Sequence, residues 1–144
     1  MTLDEVLNEW DKDSVIDRTE LGDAALNGSR LHAKWLRIRS HEKLRLAKLL
    51  EEGKQLKLAK HEFYTQGPTT ETRELGWEPA PMGRVTNSLA PMYMDGDKQT
   101  VEHNLRVAYQ REVVDAIELI FVALKGRGFD IGRKLEEMKL RMGQ

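Results

Sequence analysis

An all-α protein is what this chain of 144 residues should form. Apolar residues recur at helical spacing in three stretches, good helix formers run without a proline from Ala24 to Tyr64, and all four prolines lie between Pro68 and Pro91. The length suits one domain. Within it, residues 1–65 read as a helical part built on a short and a long helix, 66–97 as an irregular connection, and 98–144 as two C-terminal helices.

Each element has its own signal. Thr2-Leu3-Asp4-Glu5 has the form of a capping box, and Leu3, Val6, Leu7 and Trp10 follow at helical spacing, so residues 3–12 predict a short amphipathic helix. Asp17-Arg18-Thr19-Glu20 reads as a second helix start, weakened at Gly22 and Gly28, where each glycine costs about 1 kcal/mol against alanine. From about Ala24 to Tyr64 the composition predicts one long helix of about 60 Å. A globule of this chain length has a radius of gyration of only about 14–15 Å, so the helix should overhang it and need a partner chain or a ligand.

Projected at 100° per residue, that helix carries more than one apolar stripe. Leu31, Trp35, Ile38, Leu46, Leu49, Leu56 and Phe63 fall on one side, and Leu26, Ala33, Leu36, Leu44, Ala47 and Leu58 on another. Two stripes imply two neighbours. Thr65-Gln66-Gly67-Pro68 ends the helix and opens the proline-bearing connection, in which a strand-like fragment at Arg84–Thr86 is unpersuasive. Helical period then returns from Lys98 to Leu124 through Val101, Leu105, Ala108, Tyr109, Val113, Ala116, Ile117, Ile120, Phe121 and Leu124. This stretch reads as the best buried helix of the chain. Gly126 and Gly128 should close it, and Asp130 should cap a last helix bearing Ile131, Leu135, Met138 and Met142.

The formal charge of -1 hides a strong asymmetry. Residues 1–29 carry net -6, residues 30–60 net +7, residues 61–104 net -4 and residues 105–144 net +2. The cations of the second block line up in two rows between the stripes: Arg30, Lys34, Arg37, Arg45 and Lys48 with His41, and Arg39, Lys43, Lys54 and Lys57. Such rows neutralise successive phosphates and release counterions, which drives sequence-independent nucleic-acid binding. His61, Phe63 and Tyr64 follow the rows; Phe63 falls on the core stripe, and Tyr64 is the better candidate for stacking on an unpaired base. No compact recognition-helix motif is visible, so a single strand is favoured over a duplex. The candidate DNA-binding residues are Lys34, Arg37, Arg39, Lys43, Arg45, Lys54, Lys57, Lys60 and Tyr64.

Catalysis has no constellation to rest on. The chain has no cysteine, which excludes disulfides, a thiol nucleophile and sulfur-ligated metal. His32, His41, His61 and His103 are scattered, outside any metal-ligand pattern, and read as helix-surface residues. No P-loop is present. Gly126-Arg127-Gly128 reads as a helix stop, the alternative being a phosphate cradle at a helix N-terminus. No enzyme activity, metal or cofactor is expected. MTLDEVLNEW lacks the basic and apolar runs of a secretory leader, and Leu119–Leu124 is far shorter than the ~20 residues that cross a bilayer. A soluble intracellular protein without a membrane partner is expected.

Several of these segments together resemble a family. LDEVLNEW at the start, Val15-Ile16-Asp17-Arg18-Thr19-Glu20-Leu21, Lys34-Trp35-Leu36, Leu56 through Tyr64 (LKLAKHEFY) and Lys125 through Ile131 (KGRGFDI) are similar to the UvsY-type recombination mediators of tailed bacteriophages. The likeness runs nearly end to end and is weakest in residues 67–100. It implies a small helical protein that assembles into a hexameric or heptameric ring and binds single-stranded DNA in recombination and repair. It further implies that the protein loads a RecA-like phage recombinase onto DNA covered by single-strand-binding protein, in the cytoplasm of the infected bacterial host. In that family a basic pair within the segment matching Leu56–Tyr64 serves DNA binding. Ungapped matching puts one member on Lys60 and the other on Leu58, which has lost the charge; Lys54 and Lys57 lie close enough to replace it. The strong C-terminal stripe is the expected assembly element, its alternative being intramolecular core. A second reading of the chain is a non-enzymatic structural or assembly protein of a phage. The acidic N-terminal block is a candidate surface for a basic partner or a neighbouring subunit, and the roles of Trp77, Arg84 and Tyr93 stay open.

Overall fold

A computed structural model describes residues 1–16 and 21–143. The described residues are all-helical: α1 (Leu3–Asp13), α2 (Leu21–Gln66), α3 (Thr70–Glu74), α4 (Ala90–Asp95) and α5 (Lys98–Arg141), with no strand among them. The expected helix start at residues 17–20 lies outside the described residues. The chain divides into two compact units, one of Met1–Arg45 with Gln110–Gln144 and one of Leu46–Tyr109.

The first unit packs α1 against the early part of α2 and the late part of α5. Thr2 and Glu5 form the expected capping box, the Thr2 hydroxyl accepting from Glu5 N at 3.1 Å and the Glu5 carboxylate from Thr2 N at 3.2 Å. A cap of this kind stabilises a helix by about 1 kcal/mol. Val6, Leu31, Trp35, Val113, Ile117, Ile120 and Leu124 make the core, and Trp10 meets Trp35 edge-on at 6.2 Å. At its margin a carboxylate is buried: Glu42 accepts from the Met1 ammonium at 2.7 Å and from Gln110 Nε2 at 2.8 Å. Burial works against that charge, yet the ammonium and Gln110 outweigh it and hold Glu42 below the usual carboxylate range.

In the second unit, the late part of α2 and the early part of α5 carry the connection, whose own core is Phe63, Tyr64, Ala80, Val85, Ala90 and Met94. Gly67 ends α2 at φ +91°, a conformation glycine adopts without a Cβ clash. Val85 N then donates to Tyr64 O at 2.9 Å and pins the connection back on the helix end. His103 is buried, against the expectation of a surface position, and its Nε2 hydrogen-bonds Leu49 O at 2.8 Å. Gly53 makes this approach possible, because a Cβ there would sit 3.0 Å from His103 Nε2.

Two expectations for the C-terminal region are corrected. It forms one helix, and Gly126 and Gly128 lie inside it. A glycine stop needs the left-handed conformation, which among the described glycines only Gly67, Gly76, Gly83 and Gly143 adopt. Leu124 and Ile131, seven residues apart and both buried, give the helix a reason to continue. The second correction concerns the early stripe: Val101, Leu105, Ala108 and Tyr109 are exposed, and the residues buried on this part of α5 are His103 and Gln110. On α2 the stripe of Leu31, Trp35 and Phe63 is buried, whereas Leu26, Leu36, Leu44 and Leu58 stay exposed. Among the described residues no helix is long and apolar enough to cross a membrane.

Candidate nucleic-acid interface

Helix α2 presents its cations in three different conditions. In the first unit Lys34 is clamped between Glu9 at 2.8 Å and Asp13 at 2.7 Å, and Asp13 also accepts from Trp35 Nε1 at 3.0 Å. Partial burial works against the ammonium, but the two carboxylates prevail and raise its pKa, while Glu9 is lowered by the hydrogen bond and charge of Lys34. Arg39 donates through Nε to Glu118 at 2.6 Å and lies over the Phe121 ring. Both side chains hold helices together, so their charge is largely spent inside the unit. The acidic N-terminal block thus meets a basic element of its own chain.

A second group faces solvent. Arg37 and Lys43 are exposed in the first unit and Lys57 in the second, and among the described residues no acid pairs with any of the three. Arg45 reaches Glu42 at 3.6 Å but stays exposed. Lys48 and Lys54 are exposed and pair within the helix with Glu52 at 4.0 Å and Glu51 at 2.8 Å. Pairs of this kind are worth about 0.3–0.5 kcal/mol and are screened by salt, so a phosphate can displace them. These cations can neutralise a polyanion.

The third condition is burial, and it corrects the assignment of Lys60 and Tyr64. Lys60 has 0% exposure and Tyr64 5%. Lys60 Nζ donates to Asp97 Oδ1 at 3.0 Å and to Gln99 Oε1 at 2.7 Å, and lies 3.7 Å from the centroid of the Trp77 ring. The Tyr64 hydroxyl donates to the same Asp97 oxygen at 2.6 Å, and Asp97 Oδ2 accepts from Thr100 N at 3.0 Å and Thr100 Oγ1 at 3.1 Å. Burial lowers the Lys60 pKa, with Asp97 pulling the other way. Burial alone would raise Asp97, but Tyr64, Thr100 and Lys60 hold it low. Tyr64 is pushed up by burial and by Asp97. In this arrangement the lysine cannot meet a phosphate, nor can the tyrosine ring stack on a base. They anchor the connection to the end of α2.

Trp77, left open by the sequence, is the lid of the Lys60 cage. Asp97 was missed altogether; its only sequence signal is an acid three residues before Thr100 at a helix start. The Gly126-Arg127-Gly128 cradle is ruled out, because those amides lie within the continuous helix α5. Among the described residues no group of His, Asp and Glu is placed to hold a metal ion.

The profile of the UvsY family, described as recombination, repair and ssDNA-binding protein, matches residues 9–144. Among solved structures, the bacteriophage T4 recombination mediator protein UvsY superposes with a TM-score of 0.79 at 23% identity, over 98% of this chain and 99% of that one. A second crystal lattice of the same T4 protein gives 0.78 at 24% identity, over 100% and 99%. A third gives 0.77 at 23%, over 95% and 98%. At these identities the likeness shows a shared fold. A search of curated proteins finds no match.

Proposed function

Because this chain belongs to the UvsY family of recombination, repair and ssDNA-binding proteins, we propose that it is a non-enzymatic recombination mediator that holds single-stranded DNA on the exposed cations of α2. The carrying observation is the exposed cations of each unit, Arg37, Lys43 and Arg45 in the first and Lys48, Lys54 and Lys57 in the second, whose acidic partners among the described residues are few and weakly held. A mediator breaks no covalent bond; it changes which protein occupies the strand. Its substrate is DNA covered by single-strand-binding protein, and its product is a strand loaded with a RecA-like recombinase, in the cytoplasm of the infected bacterial host.

Self-association into a hexameric or heptameric ring makes this effective. A few phosphate contacts per subunit are weak, and gathering many subunits on one strand multiplies them through effective concentration. Leu26, Leu36 and Leu44 on α2 with Leu119, Val122 and Phe129 on α5, all of the first unit, are 46–77% exposed, and copies of the chain would cover them. Removing this apolar area from water supplies the driving force for assembly.

The test is oligonucleotide binding by fluorescence anisotropy at several salt concentrations. Affinity should fall steeply with salt, with a logarithmic slope of about 0.7 per phosphate neutralised. Replacing Lys48, Lys54 and Lys57 together by glutamine should flatten that slope and weaken binding several-fold. Salt-independent binding, or binding untouched by the triple change, would favour the structural-protein reading instead.

A further inference from the structure

Within the second unit a cavity of about 600 Å³ lies beside the buried Lys60–Asp97 pair, bordered by Tyr64, Pro79, Pro81, Met92, Tyr93 and Lys98. Its size is in the range of about 300–1,000 Å³ found for small-molecule sites. None of the exposed α2 cations borders it. Whatever it takes therefore adds to the phosphate contacts on that helix.

Three features choose the occupant. The lining includes the half-buried Tyr93 with Pro79 and Pro81, groups whose apolar surface suits a planar aromatic ring. Two charges sit at the border: Lys98, exposed and unpaired with any acid among the described residues, and Glu78, whose carboxylate can accept from a ring N–H or an exocyclic amine. The wall is also built in advance. Asp97 gathers Lys60, Tyr64 and Thr100 around itself, and the Tyr64 ring lies 5.9 Å from that of Tyr93. A site already ordered loses little entropy on binding.

We propose that this cavity takes one unpaired nucleobase per subunit, its ring against Tyr93 and its phosphate on Lys98. The proposal rests on the single-strand-binding reading above and explains a preference that phosphate contacts cannot supply. Phosphates are common to single and double strands, whereas only a base free of its complement can turn into a pocket of this kind.

The experiment compares a labelled oligothymidylate with an abasic strand of equal length, measured by anisotropy on the full chain, with thermal unfolding recorded for each variant. The variants are Tyr93→Ser and Gly96→Leu. Gly96 borders the cavity at φ -90°, and an added Cβ meets only Met92 O at 3.8 Å, so leucine there adds bulk at the cavity border without a clash at its Cβ. The wild type should prefer the base-bearing strand about tenfold, and both variants should reduce that preference to about twofold while keeping their affinity for the abasic strand. A wild-type preference that survives in both variants overturns the pocket and leaves the phosphate track standing. Equal losses on both strands in both variants also overturn it, because folding then carries the effect. A wild type that binds neither strand in dilute buffer removes the single-strand reading and the pocket with it.

Discussion

Replacing Lys60 separates a cation that binds DNA from one that holds the protein together. In Lys60→Met the side chain keeps its length and loses its charge, while Asp97 stays buried with the Tyr64 hydroxyl and both Thr100 donors. Breaking a buried pair costs about 3–5 kcal/mol, and the donors left on Asp97 place this case near the lower end, about 3 kcal/mol. The Trp77 contact at 3.7 Å is lost in the same change. For a chain of this size such a loss lowers the melting temperature by about 10 °C. Thermal unfolding by circular dichroism reads the shift. Anisotropy with an abasic strand, well below the transition, should show affinity per folded molecule within about twofold of wild type, because phosphate binding rests on the exposed lysines. A Lys60→Met protein that melts within about 2 °C of wild type and loses tenfold in DNA affinity would refute the reasoning. The lysine would then leave its cage to meet the strand.

Other outcomes follow from particular contacts. Gly126→Ala and Gly128→Ala should each stabilise by about 0.5–1 kcal/mol in urea unfolding, since both sit in α5 with nothing within 4 Å of an added Cβ; a loss would restore the helix stop. Gly53→Ala should destabilise and disturb the His103 resonances in NMR, because the new methyl would sit 3.0 Å from His103 Nε2. Asp97 and Glu42 have folded-state pKa values below the ordinary ones, so the unfolded chain takes up protons first as pH falls. Their stabilisation is therefore complete at neutral pH and lost through the acid range, between about pH 5 and 2, and Asp97→Asn should flatten the melting-temperature profile there. Lys34→Gln should cost about 1 kcal/mol and leave DNA binding nearly unchanged, because its two carboxylate partners lie in the same chain and the site is partly exposed.

Helices with local signals were legible. The capping box at Thr2–Glu5, the uninterrupted formers of α2 and the Gly67-Pro68 stop each act within a few residues, and each stands where expected. The irregular connection was legible as such, but not its two short helices, whose lengths of five and six residues leave too little periodicity to read. Of the candidate interface, the row positions were legible from projection. Which cations stayed available was not, because Glu9, Asp13, Glu118 and Asp97 lie 25, 21, 79 and 37 residues from the cations they pair with.

Periodicity and the absence of breakers, summed along the chain, settled an all-α architecture, and charge blocks settled that one helix is basic. Tertiary packing alone decided that Lys60 and Tyr64 turn inward and that Lys57 turns outward. The reason is physical: helix formation depends on neighbours a turn away, whereas desolvating a charge depends on an opposite charge arriving from a distant segment. For Lys60 that segment is the turn before α5, and Asp97 with Trp77 converts a surface cation into part of a core.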